Sequence, residues 1–470
     1  MAITVINEPY DRTPAYNPIK FLYNSTNKNL AGFKYIFDVY ESGTSNKIAE
    51  YRVYPRFGDG YGEIDLSKLL QNKVTYDYSP SSVILAASNS FYKYDFKVGE
   101  EYITSYPYTA SLVNNGGNIQ ITPTSAHTFI VGDQVVLDAG TTNAPINGLW
   151  TVIAVSGTTN FTINALFANV VNATIDGVVY YADNRKTITR DIVTELNKYV
   201  FNGAIPWSGF RTYNQSDFIL NGNTDRLLTN IPVSGFKVTP DQDLWVNAMN
   251  NFVTTGFMIF ENSNGDKFSR AITQNSLITQ VAVGGNNSGI LTVITGSLPL
   301  VKSNTDWYEI YYANSAYTRH SLKYRIDIDR RCVIEPFEIA FLDRLGSFGS
   351  FAFQLRAYEN GIVEKTTYKQ DILGITSAGM WSYETQAKGM RVINPTVEKT
   401  LQLNTNWLTI EMDNYFQELI TSPETYVKIN NQYYACTIND TSFEVARQKN
   451  KNLIKHSISV MLSNQDAING

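Results

Sequence analysis

Apolar residues in this chain recur mainly at every second position, in short runs separated by Gly, Asn, Asp or Pro, which is the period of a strand half-buried in a sheet. Between Asn17 and Phe96 the runs IKFLY, FKYIFDVYE and KIAEYRVYP predict a small antiparallel sandwich of immunoglobulin or fibronectin type. In the second run, Phe33, Tyr35, Phe37 and Val39 share one face, expected to be the core, and Lys34 and Asp38 fall on the other. The stretch Ile64 to Leu70 reads as one helical turn crossing between sheets.

From about Ala110 to Ala182 the pattern changes to strands joined by tight Gly turns, nearly free of Lys and Arg. HTFIVGDQVVL reads as a strand entering a Gly132-Asp133 turn and leaving as another; LWTVIAV follows Asn147-Gly148, and FTI follows Thr158-Thr159-Asn160. Five or six such strands predict a small inserted barrel. Further on, FMIFENSNGDKFSRAI is a hairpin across Asn264-Gly265, GILTVITGSL and WYEIYYA are strands, and Tyr324, Ile326 and Ile328 alternate with Arg325, Asp327 and Asp329. Near the C-terminus, Met412, Tyr415, Phe416 and Leu419 form a helical stripe over Ile410 to Ile420, capped by Thr409 and stopped by Ser422-Pro423. A hairpin across Asn430-Asn431 and a last strand, LIKHSISVML, follow.

The expected class is therefore mainly β and multi-domain, with sandwiches, an inserted small barrel and a C-terminal α+β unit. The expected partition is an N-terminal sandwich (1–109), the barrel (110–183), a connecting segment packing on the sandwiches (184–241), a second sandwich-like domain (242–389) and the α+β unit (390–470).

Composition narrows the function. The 31 Tyr and 24 Phe suit pleated, half-buried surfaces, and Tyr also suits surfaces buried against partners. A net charge of −5 offers no basic footprint for nucleic acid, and no apolar window is long enough for a membrane span. Cys332 and Cys436, far apart, form neither a disulfide framework nor a zinc pattern.

Candidate chemistry is sparse. His127, His320 and His456 fall in three different units, so a histidine metal site requires an improbable convergence. Asp327 and Asp329 share a strand face and could hold a cation or act as paired carboxylates, but Arg325, Arg330 and Arg331 alongside favour a charge ladder. Asn262, Asn264 and Gly265 match part of a calcium loop that lacks its first carboxylate and its closing Glu. FGDGYGE lacks the helix of a phosphate loop, and His320-Ser321 and His456-Ser457 are neighbours pointing to opposite faces. Trp150, Tyr180 and Tyr181 could stack on glycan, against the alternative that they fill the barrel core. The expectation is no catalytic residue, no metal and no cofactor.

Five further segments, NPIKF from Asn17, KYVFNGAIPW from Lys198, RLLTNIPVSGF from Arg226, FEIAFLDRLGSFGSFAF from Phe337 and NWLTIEMDNYFQELITSPETYVKI from Asn406, share an order. It resembles that of virion structural proteins of tailed phages infecting Bacteroidetes, the crAss-like group among them. The barrel segments resemble a module grafted into many phage tail proteins. The resemblance implies a tail, baseplate or neck component in the virion, made in the host cytoplasm. Its implied partners are further copies in a symmetric ring and other tail or neck proteins, without nucleic acid or membrane insertion. The alternative is a receptor-binding or fibre-attachment protein whose barrel holds host surface glycan, with tail fibres as further partners.

Overall fold

The computed structural model describes residues 2–111, 118–138, 147–164, 174–182, 185–249, 256–272, 276–331, 336–382, 385–439 and 454–463. Cys332 lies outside them. The chain is mainly β, with several sheets and few helices. It divides into two compact units: residues 1–13, 18–69 and 93–199 form one, and 14–17, 70–92 and 200–470 the other.

The first unit contains a sandwich of a three-stranded and a five-stranded sheet. Its core is aromatic: Phe21, from Lys20–Ser25 in the smaller sheet, stacks at 4.1 Å on Phe96, from Phe91–Ile103 in the larger, and Phe37 lies 5.7 Å from Phe96. Phe33, Tyr35, Phe37 and Val39 are buried as the alternation predicts. Asp38, however, is buried too, where the alternation places it on the outer face. It is kept there by Lys47 at 2.9 Å and Arg190 at 2.6 Å, so its charge is matched rather than solvated. Glu101 on the same face is likewise held by Lys186 at 2.7 Å and by Arg52. Gly99 admits the close approach of strand Lys186–Phe201, since a Cβ there would stand 2.4 Å from the Thr189 carbonyl oxygen. The Ile64 to Leu70 stretch divides into the end of strand Gly62–Asp65 and the short helix Ser67–Gln71.

The same unit carries a six-stranded antiparallel sheet, and an isolated bridge joins Tyr108 of one outer strand to Pro123, just beyond the other, Ile119–Ile121. Tyr108, Phe129, Val135, Val152, Phe161 and Val179 are among the residues filling its interior. HTFIVGDQVVL yields only one strand, Gln134–Asp138; the half before the turn is irregular and anchored by His127 N–H to the Thr158 carbonyl at 2.9 Å.

The second unit has a six-stranded sheet, a three-stranded sheet and a seven-stranded sheet with the helix Ile410–Thr421, sharing one core. The helix forms for the reasons its sequence displays: the Thr409 side chain accepts from Met412 N–H, and Met412, Tyr415, Phe416 and Leu419 are buried. Tyr415 lies 5.0 Å from both Phe236 and Phe341. The following hairpin, Thr425–Ile429 and Gln432–Ile438, turns through Asn430 (φ 50°) and Asn431 (φ 61°), the left-handed pair that a two-residue turn requires.

Candidate functional site

A row of ionisable side chains crosses three neighbouring strands of the seven-stranded sheet. Strand register sets Glu338, in Phe337–Leu342, opposite Lys428, and Lys428 opposite Tyr433. Asp243, just before strand Trp245–Met249, completes the group. Its Oδ2 accepts from Lys428 Nζ at 2.6 Å and from the Tyr433 hydroxyl at 2.8 Å. Glu338 Oε2 accepts from Lys428 at 3.3 Å and its Oε1 from the Asp243 backbone N–H at 3.0 Å, and Oε1 also lies 3.0 Å from the Tyr433 oxygen, whose single proton is shared between the two carboxyl groups. Asn286 donates to Asp243 Oδ1 at 2.7 Å.

Burial, and then the charge of Asp243, push Glu338 up to about 7. Burial opposes the charge on Lys428, but Glu338 and Asp243 outweigh it and raise its pKa. Burial and the same two carboxylates raise Tyr433 far above its usual range. Glu338 and Lys428 reach a cleft of about 630 Å³, and Asp243, Lys428 and Tyr433 one of about 650 Å³. The group can hold a proton near neutral pH at the back of both clefts. Each carboxylate oxygen is nevertheless occupied by a donor, which is what a structural latch between a loop and a sheet needs.

The other distinctive feature is a ribbon. Tyr358–Lys369 pairs along its length with Met390–Asn404, and among the described residues only Thr400 to Asn404 of the second strand pair further, with Ser457–Leu462. The paired part is about 40 Å long at the usual rise per residue. Beyond it a small hairpin, Gly374–Ile375 against Trp381–Ser382, forms the tip. Among the described side chains from Gly361 to Lys399, only Ile372 and Gly389 are even partly covered. Leu373, Ile375, Met380, Trp381 and Met390 are exposed, Trp381 by 71%.

No protein-family model and no curated protein matches the chain. Among solved structures, a phage phi92 endosialidase is similar over 99% of this chain and 70% of that one, at 10% identity and a TM-score of 0.16. A Salmonella alpha-2-macroglobulin reacted with methylamine is similar over 98% and 38%, at 8% identity and a TM-score of 0.13. At these scores neither carries an argument.

The residues singled out in the sequence are placed as follows. Val135 pairs with Trp150 on one side and Tyr181 on the other, so both share its interior face, whereas Tyr180 pairs with Val136 on the opposite face. Tyr181 packs 4.7 Å from Phe129 and its hydroxyl meets Thr128 Oγ1 at 2.9 Å. The three therefore form no common stacking platform. Arg325 bonds Asp327 at 3.0 Å and Arg331 Nε bonds Asp329 at 2.8 Å, while Arg330 donates to the Lys302 and Thr305 carbonyls. In the Asn262 loop, Lys302 Nζ binds Asp266 at 2.6 Å, an ammonium where a calcium loop would have its ion. His456 Nε2 lies 2.6 Å from Asp413 Oδ1 and the ring stacks on Phe416, joining the helix to strand Ser457–Leu462. His320 meets Asn314 at 3.1 Å and His127 packs between Phe129 and Phe161. Among the described residues no group of metal-ligating side chains occurs, and no helix is long and apolar enough to cross a membrane. The Asp243 group escaped sequence reading because only the Lys428–Tyr433 pair is local; Glu338 and Asp243 arrive from distant segments.

Proposed function

We propose that this chain is a structural component of a tailed-phage virion, of tail, baseplate or neck type, that works by making assembly contacts. The observation that carries the reading is the uncovered ribbon. An isolated two-stranded ribbon is at best marginally stable in water, and a long one with Trp, Met, Leu and Ile exposed at its tip gains stability from a partner that covers it. The order of its sequence segments, which resembles that of phage virion proteins, supports the same reading. So does the Asp243 group, whose carboxylate oxygens are engaged by Lys428, Tyr433 and backbone rather than presented to a substrate. A ring is the expected form, since one contact repeated around an axis closes without waste of surface. The glycan-binding alternative draws no support from Trp150 and Tyr181, which face the barrel interior.

Purified virions of the encoding phage should contain the chain at a copy number that is a multiple of the tail symmetry, measured by quantitative mass spectrometry. Its absence from washed particles would sink the proposal.

A further inference from the structure

Exposed sheet edges are usually guarded by charges, Pro or cover, because their free N–H and C=O groups invite another strand. The stem of the ribbon follows that rule: its outer strand Tyr358–Lys369 carries Glu359, Glu364, Lys365 and Lys369. The tip breaks it. From Ile372 to Ser382 there is no charged residue, although the chain as a whole is 17% charged. A second unguarded edge lies in the same unit. Strand Thr292–Thr295 is the last of the six-stranded sheet, pairs only with Lys267–Ile272 among the described residues, and is exposed at all four positions. It too lies in an uncharged stretch, Ile290 to Val301, where Ile290 (93% exposed), Val293, Ile294 and Leu298 face solvent.

We infer that the apolar tip of the ribbon docks on the Thr292–Thr295 edge of a second copy of this chain. The inference rests on the assembly reading above and names its contact. Two apolar, uncharged surfaces on one chain, one on a projecting arm and one on an open edge, fit each other because neither asks the other to bury an unpaired charge. Strand addition would satisfy the free backbone of Thr292–Thr295, while its alternating side chains meet the tip. Large side chains bury on the order of 100 to 200 Å² each. Leu373, Ile375, Met380 and Trp381 thus supply about half or more of the roughly 800 Å² per partner of a stable interface, with the strand-added backbone supplying the rest. Because donor and acceptor surfaces differ, the contact is heterologous and propagates from copy to copy.

The experiment uses the full-length chain in three forms: unaltered, a tip variant (Ile375→Ser with Trp381→Ser) and an edge variant (Ile290→Ser with Ile294→Lys). All four positions are exposed, and unchanged melting temperatures check that each variant folds. By analytical ultracentrifugation the unaltered chain should self-associate, and each variant alone should lose at least tenfold in affinity. An equimolar mixture of the two should recover a heterodimer, since one copy keeps an intact edge and the other an intact tip. A photoreactive benzoylphenylalanine at position 381 should cross-link to residues 290–298 of a differently isotope-labelled copy.

A monomeric unaltered chain, a variant that still associates, or a mixture that stays monomeric would overturn the contact. Cross-links to Val5 and Ile6, another exposed apolar pair on a sheet edge, would overturn it as well. None of these results touches the virion proposal, which stands or falls on particle composition.

Discussion

Glu338 shows what one buried carboxyl does to the molecule. Its ordinary pKa of 4.5 rises to about 7, so between those values the folded chain holds a proton that the unfolded chain has released. The associated stability is fully present below about pH 4.5 and is lost as pH rises toward about 7, a total on the order of 3 kcal/mol from a shift of that size. Melting of the unaltered chain should therefore fall across this window, with Asp243, Lys428 and Tyr433 as the groups facing the titrating carboxyl. Glu338→Gln should reduce the slope, with Asp343, another buried carboxyl raised to about 7, carrying the remainder; an unchanged slope would assign the titration elsewhere. In the barrel, neighbouring tyrosines should separate. Tyr181→Ala removes a packed interior ring and should cost about 3 kcal/mol, whereas Tyr180→Ala, on the other face, should cost under about 1 kcal/mol in chemical denaturation.

At the level of elements, legibility followed the distance over which each is specified. The helix Ile410–Thr421 carries its cap, stripe and stop within its own sequence, and the next hairpin carries its turn in Asn430-Asn431. Replacing both Asn by Ala puts two side chains into left-handed backbone without the local polar compensation that Asn offers, and should cost about 2 kcal/mol; Asn431→Gly should be nearly neutral. The ribbon was not legible. Its stem, with Glu364, Lys365, Thr366 and Thr367, shows no core face because it has none, and core-seeking periodicity is blind to strands paired only with each other. Asp38 misled the same logic in reverse, since alternation assigns polar residues outward and cannot see Arg190 arriving from the far end of the unit. The Asp243 group was half visible: Lys428 and Tyr433 follow from the hairpin register, but their carboxylate partners depend on long-range topology.

At the scale of the whole chain, removing residues 370–389 should leave the melting temperature nearly unchanged while abolishing self-association, because the tip buries almost nothing of its own fold. The barrel invites a different operation. It is entered through Ser105–Ser111 and left through Thr174–Tyr181, two strands that pair side by side from Ser105 opposite Tyr180 to Ser111 opposite Thr174. Entry and exit are therefore separated by the width of a single strand pair, about 5 Å. A two-residue Asn-Gly link could close that gap, or a foreign module with neighbouring termini could occupy it. Such a socket lets the barrel be exchanged while the sandwich that carries it keeps its sequence.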